Sequence, residues 1–431
     1  MKKVILPLFL SALMLVSGCA RPSYGEELKS DKTRLTPEVP ASEMAELVEG
    51  NTDFALALYK LLKEDDGNIF YSPYSISLAL AMTYGGARGE TERQMAEALR
   101  FTLEQNKLHA ALNALDAALN SRGQGAKGKG DEPFKLSVVN AIWGQKDYQF
   151  LNEYLDLLAE NYGAGLRILD FIKSPEAARE VINDWVAKET EQRIKNLLPQ
   201  GSITDLTRLV LTNAIYFTGG WLTPFSKEAT ANGIFNLIDG QKITVSMMHQ
   251  SESMGYAEGS ITKSSFLPSG YQAVELKYDG GELSMVIILP ETGGFSAFEN
   301  ALDGAILQQI MDNLESNTVN LTMPKFEFDS EFNLKSALSA LGMPGAFSDS
   351  ADFSGMNGTG GLLISDVVHK AFISVDEAGT EAAAATGVVV GVTSAPMDPK
   401  TMTLDRPFIF LIRDMATGTI LFTGRVMNPM E

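Results

Sequence analysis

The chain has 431 residues, of which 45% are hydrophobic, so it is long enough to bury a large core. It carries 54 acidic and 35 basic residues, and the resulting formal net charge of −19 disfavours binding to nucleic acid or to anionic membrane surfaces. A single cysteine excludes an internal disulfide, so the fold must be stabilised by packing alone.

The N-terminus has the pattern of an export signal. Two lysines precede an apolar run over residues 4–16, and small residues follow before Cys19. The run is too short for a membrane-spanning helix and is typical of a signal peptide over residues 1–18. The junction Val-Ser-Gly-Cys resembles a bacterial lipobox, which implies that Cys19 is acylated; the alternative is ordinary secretion with a chance cysteine. We expect an exported lipoprotein at the cell surface, attached to the membrane only through Cys19, or otherwise a secreted protein.

The segment after the signal has the composition of a tether. Residues 19–40 contain Pro, Ser, Lys and Glu without hydrophobic periodicity, so we expect them to hold a folded domain away from a membrane. No internal repeat and no further linker divides residues 41–431. These residues are therefore expected to form one domain.

Helical spacing dominates the beginning of this domain. Apolar residues recur every three or four positions over residues 47–61, and an Asp-Asp-Gly turn at residues 65–67 ends that helix. The proline after Ser72 suits the first turn of a second helix, which should run to about Tyr84.

Two further local sequence patterns occur in the N-terminal third. Thr91 and Gln94 have the spacing of a capping box, and a helical pattern continues to Leu119. The Gly- and Lys-rich residues 122–130 are typical of a flexible surface loop. A basic binding role is the less favoured alternative, because only three charges are involved and no rigid face holds them.

Helices and strands mix in the rest of the chain. A helix is predicted over residues 175–198, Asp-Gly-Gly at residues 279–281 marks a hairpin, and a short helix over residues 334–341 should end at Gly342. Strands are predicted at residues 136–143, 209–217, 273–278, 283–289, 319–328, 407–413 and 419–426. This order predicts a single α+β domain.

The sequence lacks the common motifs of enzymes. His109, His249 and His369 occur neither in HExxH nor in a close metal-binding pattern with Cys or Asp, and no GxSxG elbow or phosphate-binding glycine loop follows a strand. His369 could be a base in a spatially assembled hydrolase site, but a core histidine beside the strand at residues 371–375 is favoured. We expect no metal, no cofactor and no catalytic residues.

The stretch from Glu377 to Ser394 begins acidic, becomes small and ends β-branched. Local propensity predicts a helix over the alanines and then a strand after Gly387. Read as one extended segment, it instead alternates: Thr380 and every second residue to position 392 form a small or apolar face, and Glu381 lies on the other face. Such a segment could lie in water as a loop, yet could also enter a sheet without clashes.

This stretch resembles the hinge and reactive loop of the serpins, the serine-protease-inhibitor family, and the resemblance extends over residues 43–431. Further matching motifs are Asn68 with Ser72, Pro73 and Ser75, the strand residues 213–217 with Trp221, residues 323–326, residues 347–355 and residues 424–429. The resemblance implies an α+β serpin-like domain. It would have a large central, mainly antiparallel sheet, further sheets, several helices and an exposed reactive loop at about residues 377–396.

The resemblance also assigns roles to individual residues. It implies a polar cluster under the centre of the main sheet that controls strand separation, an upper sheet opening in which Lys325 pairs with Glu377, and a loop hinge. These sets are Ser72, Ser75, Asn213 and His369 for the cluster; Trp221, Lys325 and Glu377 for the opening; and Glu377, Gly379, Thr380, Glu381, Ala382, Ala383, Ala384 and Ala385 for the hinge. Simpler interpretations are a helix cap for Ser72, a buried aromatic for Trp221 and a surface ion pair for Lys325.

The resemblance implies inhibition of serine proteases by a suicide-substrate mechanism, in which the loop is cleaved, forms an acyl complex and enters the main sheet. The alternative is a non-inhibitory serpin that acts as a binding or chaperone-like surface protein. Its hinge is usually bulky, charged or proline-bearing, whereas this hinge has no proline before Pro396. The helix at residues 108–119 has few basic residues, so no polyanion cofactor is implied. We expect a monomer.

Aligning the loop without a gap from Glu377 places the reactive bond between Thr393 and Ser394, whereas counting back from the following strand would move it to residue 395 or 396. We prefer the first count. Val392 and Thr393 are small and β-branched, which suits a shallow apolar pocket. We therefore expect elastase-like or subtilisin-like targets and weak inhibition of trypsin-like enzymes.

Overall fold

The computed structural model describes residues 24–64, 67–123, 135–261, 269–380 and 398–431. The predicted signal peptide with Cys19, most of the Gly- and Lys-rich run and loop residues 381–397 lie outside this part of the chain. Within the described ranges, no helix is both long enough and apolar enough to cross a membrane.

Ten α-helices occur among the described residues. They are α1 (Ala41–Leu62), α2 (Pro73–Tyr84), α3 (Gly89–Leu99), α4 (Gln105–Asn120), α5 (Asn152–Tyr162), α6 (Pro175–Glu189), α7 (Phe295–Ala301), α8 (Gly304–Asp312), α9 (Lys335–Leu341) and α10 (Ser354–Asn357). The predicted second helix and the helix ending before Gly342 are confirmed as α2 and α9.

Sixteen strands complete the secondary structure of the described chain. They are β1 (Glu26–Leu28), β2 (Ile69–Tyr71), β3 (Lys135–Gln145), β4 (Leu166–Leu169), β5 (Leu209–Gly220), β6 (Ala231–Asn236), β7 (Lys242–Ile261), β8 (Ser269–Lys277), β9 (Leu283–Pro290), β10 (Glu315–Pro324), β11 (Phe326–Asn333), β12 (Ile364–Val375), β13 (Gly379–Thr380), β14 (Lys400–Thr403), β15 (Phe408–Asp414) and β16 (Ile420–Val426). The predicted hairpin is confirmed as β8 and β9, and the predicted terminal pair as β15 and β16.

The strands form two sheets. The first has seven strands in the order β1-β4-β3-β5-β13-β12-β11 and is mainly antiparallel, with parallel pairing only of β3 with β4 and of β5 with β12 among the described residues. The second has nine strands in the order β14-β10-β7-β8-β9-β15-β16-β2, and β6 pairs with β7 beside this path. The expected α+β domain with a large, mainly antiparallel sheet is confirmed.

Helix α2 lies between the two sheets, where it contacts β3 and β5 of the first and β16 of the second. All 12 of its residues are buried, as expected of a helix that is surrounded by protein. Ser72 caps it by accepting a hydrogen bond from the Ser75 N–H at 3.1 Å, and Pro73 occupies its first turn. The polar N-terminus of α2 is therefore held against the first sheet.

The prediction of a single strand over residues 319–328 is wrong. The segment forms β10 and β11, which belong to different sheets, because β10 pairs with β7 whereas β11 pairs with β12. Pro324 ends β10 and lacks a backbone donor, and the Lys325 N–H instead donates to the Ser246 carbonyl at 2.9 Å. The chain therefore changes sheet at Lys325.

Two helix boundaries also differ from the prediction. Thr91 and Gln94 do not form a capping box, because α3 already begins at Gly89; their side chains instead accept hydrogen bonds from the N–H groups of Asp352 and Gly345. Helix α6 ends at Glu189 rather than near residue 198. Three non-glycine residues in left-handed conformations follow it and cannot continue a helix: Glu191 (φ 51°), Gln192 (φ 67°) and Asn196 (φ 54°).

Residues 19–40 were predicted to be a tether. The described part of this segment, residues 24–40, instead lies against the domain. Strand β1 pairs with β4 at the edge of the first sheet. The Leu35 N–H then donates to the Glu160 carbonyl at 2.8 Å, and the Arg34 guanidinium bonds to Asp116 at 2.6 Å. A segment without hydrophobic periodicity is held here by backbone pairing and ionic contacts, which an apolar pattern does not reveal.

Candidate functional site

A buried polar cluster joins the start of α2 to three neighbouring strands of the first sheet. The Ser75 hydroxyl donates to Asn213 Oδ1 at 2.8 Å, and the Ser72 N–H donates to His369 Nε2 at 3.2 Å. Asn213 and His369 lie opposite each other on β5 and β12 and are hydrogen-bonded, and Asn213 also donates to Asn140 Oδ1 on β3. The four residues assigned to the cluster therefore come together, and Asn140 is a fifth member.

The hydrogen bonds of His369 define its protonation state. Nε2 accepts from the Ser72 N–H, so the proton lies on Nδ1 and is donated to Asn213 Oδ1. Burial lowers the pKa of His369 to about 3, which keeps the ring neutral. The core-histidine interpretation is confirmed, and separation of β5 from β12 at this level must break the bond between His369 and Asn213.

The Glu377 carboxylate is largely enclosed at the upper end of the first sheet. Lys325 Nζ donates to Glu377 Oε2 at 2.8 Å, and the Thr230 hydroxyl donates to Oε1 at 2.7 Å. Burial alone would raise the pKa of Glu377, but the hydrogen bonds from Lys325 and Thr230 outweigh it and hold the pKa below its ordinary value. The Glu377 side chain is 5% exposed, so this is not the surface ion pair of the simpler interpretation.

Trp221 fastens the hinge to the end of β5. Its indole N–H donates to the Asp376 carbonyl at 3.0 Å, and its backbone N–H donates to the Ala378 carbonyl at 2.8 Å. The ring stacks on Tyr278 with a centroid distance of 4.7 Å and an interplanar angle of 18°. Trp221 thus supports the turn that connects β12 to β13.

The first hinge residues lie between two strands of the sheet. β13, which consists of Gly379 and Thr380, pairs with the end of β5 on one side and with Val375 of β12 on the other. Below this point β5 and β12 pair directly with each other, over residues 209–216 and 364–372. The sheet is therefore open at its upper end by the width of one strand, and the start of the loop occupies the opening.

The fit of β13 depends on small side chains. A Cβ atom at Gly379 would lie 2.1 Å from the Gly219 carbonyl oxygen, so only glycine is accommodated there. Thr380 is 1% exposed, and its hydroxyl is hydrogen-bonded to the Tyr278 hydroxyl at 2.8 Å. A larger or charged side chain at either position would disrupt this arrangement.

The remaining candidate residues fall outside the described part of the chain. These are Cys19, Glu381, Ala382, Ala383, Ala384, Ala385, Thr393 and Ser394. The described chain resumes at residue 398, and β14 then pairs in parallel with β10 at the edge of the second sheet. The two ends of the loop are thus attached to different sheets.

Sequence reasoning missed Asn140, Thr230 and Tyr278, which complete the two hydrogen-bonded sites. Asn140 is an amide within an apolar strand, and this exception to the pattern was the signal available for it. Thr230 and Tyr278 lie far along the chain from Glu377 and Thr380, so no local pattern relates them. Among the described residues, no three of His, Cys, Asp and Glu are grouped so that they could hold a metal ion.

Comparisons with known proteins agree with this geometry. The model of the family described as "Serpin (serine protease inhibitor)" matches residues 49–429. The human leukocyte elastase inhibitor is 40% identical over 397 residues, which cover 90% of this chain and 100% of that protein. A serpin-like protein of Thermococcus kodakarensis is 41% identical over 389 residues, which cover 89% of this chain and 86% of that protein.

Solved structures show the same architecture. The thermophilic serpin tengpin in its native state superposes with a TM-score of 0.79 at 30% identity and covers 93% of this chain and 97% of its own. Uncleaved ovalbumin superposes with a TM-score of 0.77 at 28% identity and covers 89% of this chain and 100% of its own. From the family model, the sequence relatives and the shared fold, we conclude that this chain belongs to the serpin family.

Proposed function

We propose that this protein inhibits serine proteases by a suicide-substrate mechanism in which the cleaved loop enters the first sheet. The observation that carries the proposal is the position of β13, because Gly379 and Thr380 already pair with β5 and β12 as the first residues of an additional strand. The small, alternating residues that follow could continue the same strand.

The chemistry belongs to the target protease. Its serine hydroxyl attacks the carbonyl carbon of Thr393, the peptide bond to Ser394 breaks, and Ser394 leaves as a free amine. The carbonyl carbon of Thr393 is then joined to the protease by an ester. Insertion of the freed segment would carry the attached protease away and distort it before water hydrolyses the ester.

The free energy released by insertion would be large enough to distort the attached protease. About fifteen residues would each gain a backbone hydrogen bond worth roughly 0.5–1.5 kcal/mol, in total on the order of 10 kcal/mol. This total is comparable to the stability of a whole domain, about 5–15 kcal/mol. The polar cluster at His369 would then act as a latch between β5 and β12 that must open as the strand advances.

The proposed targets are elastase-like or subtilisin-like. The small residues Val392 and Thr393 support this specificity, and so does the 40% identity to the human leukocyte elastase inhibitor. The second candidate is a non-inhibitory serpin that binds partners through its surface. The glycine and threonine of β13 and the alanines after it favour inhibition over this alternative.

A protease panel tests the proposal. Equimolar mixtures with pancreatic elastase, subtilisin and trypsin are analysed on denaturing gels, and released peptides are sequenced by mass spectrometry. We expect a complex that survives SDS with elastase or subtilisin, and a new N-terminus at Ser394. The variant Thr393→Arg is the matched control and should redirect the reaction to trypsin.

Three results would contradict this assignment. A dominant cut away from Ser394, or faster inhibition of trypsin by the unaltered chain, would refute the reactive bond or the target class. Cleavage without any SDS-resistant complex would refute inhibition and favour the binding protein.

We further propose that the protein is exported as a monomer and anchored by a lipid on Cys19, after removal of residues 1–18. Mass spectrometry of the membrane fraction should find an acylated N-terminal Cys19, and Cys19→Ser should release the protein or block its processing. A free thiol on Cys19 of a secreted protein would reject the anchor and leave the inhibitory proposal untouched.

A further inference from the structure

The pairing of β13 fixes the register in which the rest of the loop would enter the first sheet. Thr380 lies opposite Val375 of β12 on one side and opposite Gly219 of β5 on the other. Both pairings are antiparallel, so each further residue of an inserted strand would lie opposite a residue one position earlier in β12 and in β5. From residues 366 to 372, β12 pairs with β5 without a register shift, so no bulge alters the count there.

This register brings loop position 386 to the buried polar cluster. The position lies outside the described residues, six places beyond Thr380, and in the inserted strand it would be opposite His369 on one side and Asn213 on the other. His369 and Asn213 are also the two residues that β12 and β5 place opposite each other in the intact protein. The counts from β13 therefore agree with the pairing of the sheet itself.

The polar positions of three strands would meet at this level. Asn213 and His369 are polar exceptions in the core that contains α2, where the neighbouring positions are Leu211, Ile215 and Phe217 on β5, and Val367, Ala371 and Ile373 on β12. Residue 386 is an even number of places from the buried Thr380, so its side chain would share the same face. On that face of the loop, positions 382, 384, 388 and 390 are Ala, Ala, Val and Val, and Thr386 is the exception.

Insertion would leave a defined hydrogen-bond deficit at the cluster. Adjacent strands lie about 4.8 Å apart, so an inserted strand would hold β5 and β12 about 10 Å apart and break the bond between His369 and Asn213. His369 Nε2 accepts from the Ser72 N–H, so its Nδ1–H would lose its acceptor. Asn213 Oδ1 accepts from the Ser75 hydroxyl and would lose its second donor. The opened cluster would therefore lack one acceptor and one donor.

We propose that His369 and Asn213 form a binding site for the Thr386 hydroxyl of the inserted loop. The hydroxyl accepts from His369 Nδ1–H and donates to Asn213 Oδ1, because a hydroxyl is both an acceptor and a donor. This contact forms only after insertion, so it stabilises the inserted strand in one register and leaves the intact protein unaffected. The site rests on the proposed inhibitory mechanism and deepens it by naming the residue that closes the opened cluster.

Melting temperatures of the intact protein and of the protein cut once beyond Val392 test the site, in a guanidinium concentration that brings both transitions into range. We expect cleaved Thr386→Val to melt about 3 °C or more below the cleaved unaltered protein, because two buried polar groups lose their partners. Thr386→Ser keeps the hydroxyl and should recover most of this difference. The three intact proteins should melt together, because the described strand ends at Thr380.

The matched control is the double variant Thr386→Val with Val388→Thr, which has the composition of the unaltered chain. Its hydroxyl would lie opposite the apolar Leu211 and Val367, so its cleaved form should melt no higher than cleaved Thr386→Val. Equal melting of all cleaved forms, at a temperature above that of the intact protein, would overturn this site and leave the inhibitory mechanism standing. No rise on cleavage of the unaltered chain would overturn insertion and the site together.

Discussion

In the proposed mechanism, Thr380 is the residue whose side chain most directly limits entry of the loop into the sheet. It is fully enclosed and bonded to Tyr278. We expect Thr380→Arg to convert the inhibitor into a substrate, because an unpaired charge in this position is costly to bury. The measurement is the number of inhibitor molecules consumed per protease trapped.

The matched control for this variant is Glu381→Arg, because sequence alternation places residue 381 on the opposite face. It should leave the stoichiometry close to that of the unaltered protein. If Thr380→Arg traps protease with the same stoichiometry as this control, the side chain of Thr380 does not enter the sheet and the insertion model is wrong.

Two buried histidines should make the fold sensitive to mild acid. Burial lowers the pKa of His109 to about 4 and that of His369 to about 3, whereas an unfolded histidine titrates near 6.5. Below pH 6.5 the unfolded state therefore binds more protons than the native state, and stability falls as the pH falls. Each histidine contributes up to about 1.4 kcal/mol per pH unit, a slope that is approached as the pH falls from 6.5 to 5.

Melting temperatures measured between pH 7.5 and 5 test this linkage. The unaltered protein should melt progressively lower below pH 6.5, and His109→Gln should lose roughly half of that slope, since one of the two titrating groups is gone. His249, which is exposed on β7, provides the control substitution His249→Gln. An equal slope in all three proteins would mean that the His109 ring is not responsible.

The sequence predicted individual site residues only through the family resemblance. Ser72 was recognisable as a helix cap, but nothing local connects it with His369, which lies 297 residues away. Asn140, Thr230 and Tyr278 were missed for the same reason. Their roles depend on which strands become neighbours, and periodicity reveals which face a residue occupies but not what lies opposite.

At the scale of elements, the N-terminal segment before α1 contributes to stability. Arg34 donates to Asn113 Oδ1 at 2.7 Å and to Asp116 Oδ2 at 2.6 Å, which links the segment to α4. Asp116 also accepts from Tyr74 on α2 at 2.9 Å. We expect Arg34→Ala to destabilise the fold by about 1–3 kcal/mol, because it leaves a partly buried carboxylate short of its cation.

The neighbouring Lys32→Ala is the control for this substitution. Lys32 approaches Glu160 only to 4.0 Å and is 57% exposed, so its removal should cost less than about 0.5 kcal/mol. Denaturant unfolding of the three proteins measures both effects. Equal stability of Arg34→Ala and Lys32→Ala would show that the segment is not fastened to α4 in solution.

Elements with strong local signals were predicted well, and those governed by distant contacts were not. The proline start of α2, the Asp-Gly-Gly hairpin and the glycine end of α9 each have a local physical cause, and all three occur as expected. By contrast, β10 and β11 form one continuous strand pattern, although the chain changes sheet between them. Strand β1 has no apolar pattern, because it is held by backbone pairing at a sheet edge.

At the scale of the whole molecule, the architecture brings distant parts of the chain together at one seam, the line along which β5 meets β12. β5 and β12 pair in parallel, and their direct pairing stops where β13 begins. Composition and periodicity predicted an α+β domain, but they could not predict that β5 and β12 are neighbours, since four α-helices and six other strands separate them along the described chain. The seam is the place where an inserted strand would be added.

Insertion of the whole loop would separate β5 from β12 as far as the His369 cluster and beyond. We expect the intact chain to be less stable than its cleaved form, because cleavage would free the loop to complete the first sheet. A loop left in solvent contributes no ladder hydrogen bonds, whereas an inserted one contributes a full set on both sides. The two forms must therefore differ in thermal stability.

The most direct test is the melting temperature of the intact protein compared with that of the same protein cut once within residues 381–397 by a protease that it does not inhibit. We expect a rise on the order of 10 °C after cleavage, because about 10 kcal/mol of added stability acts against an unfolding entropy of about 0.8 kcal/mol per degree for a domain of this size. A cleaved protein that melts at or below the temperature of the intact one would contradict it.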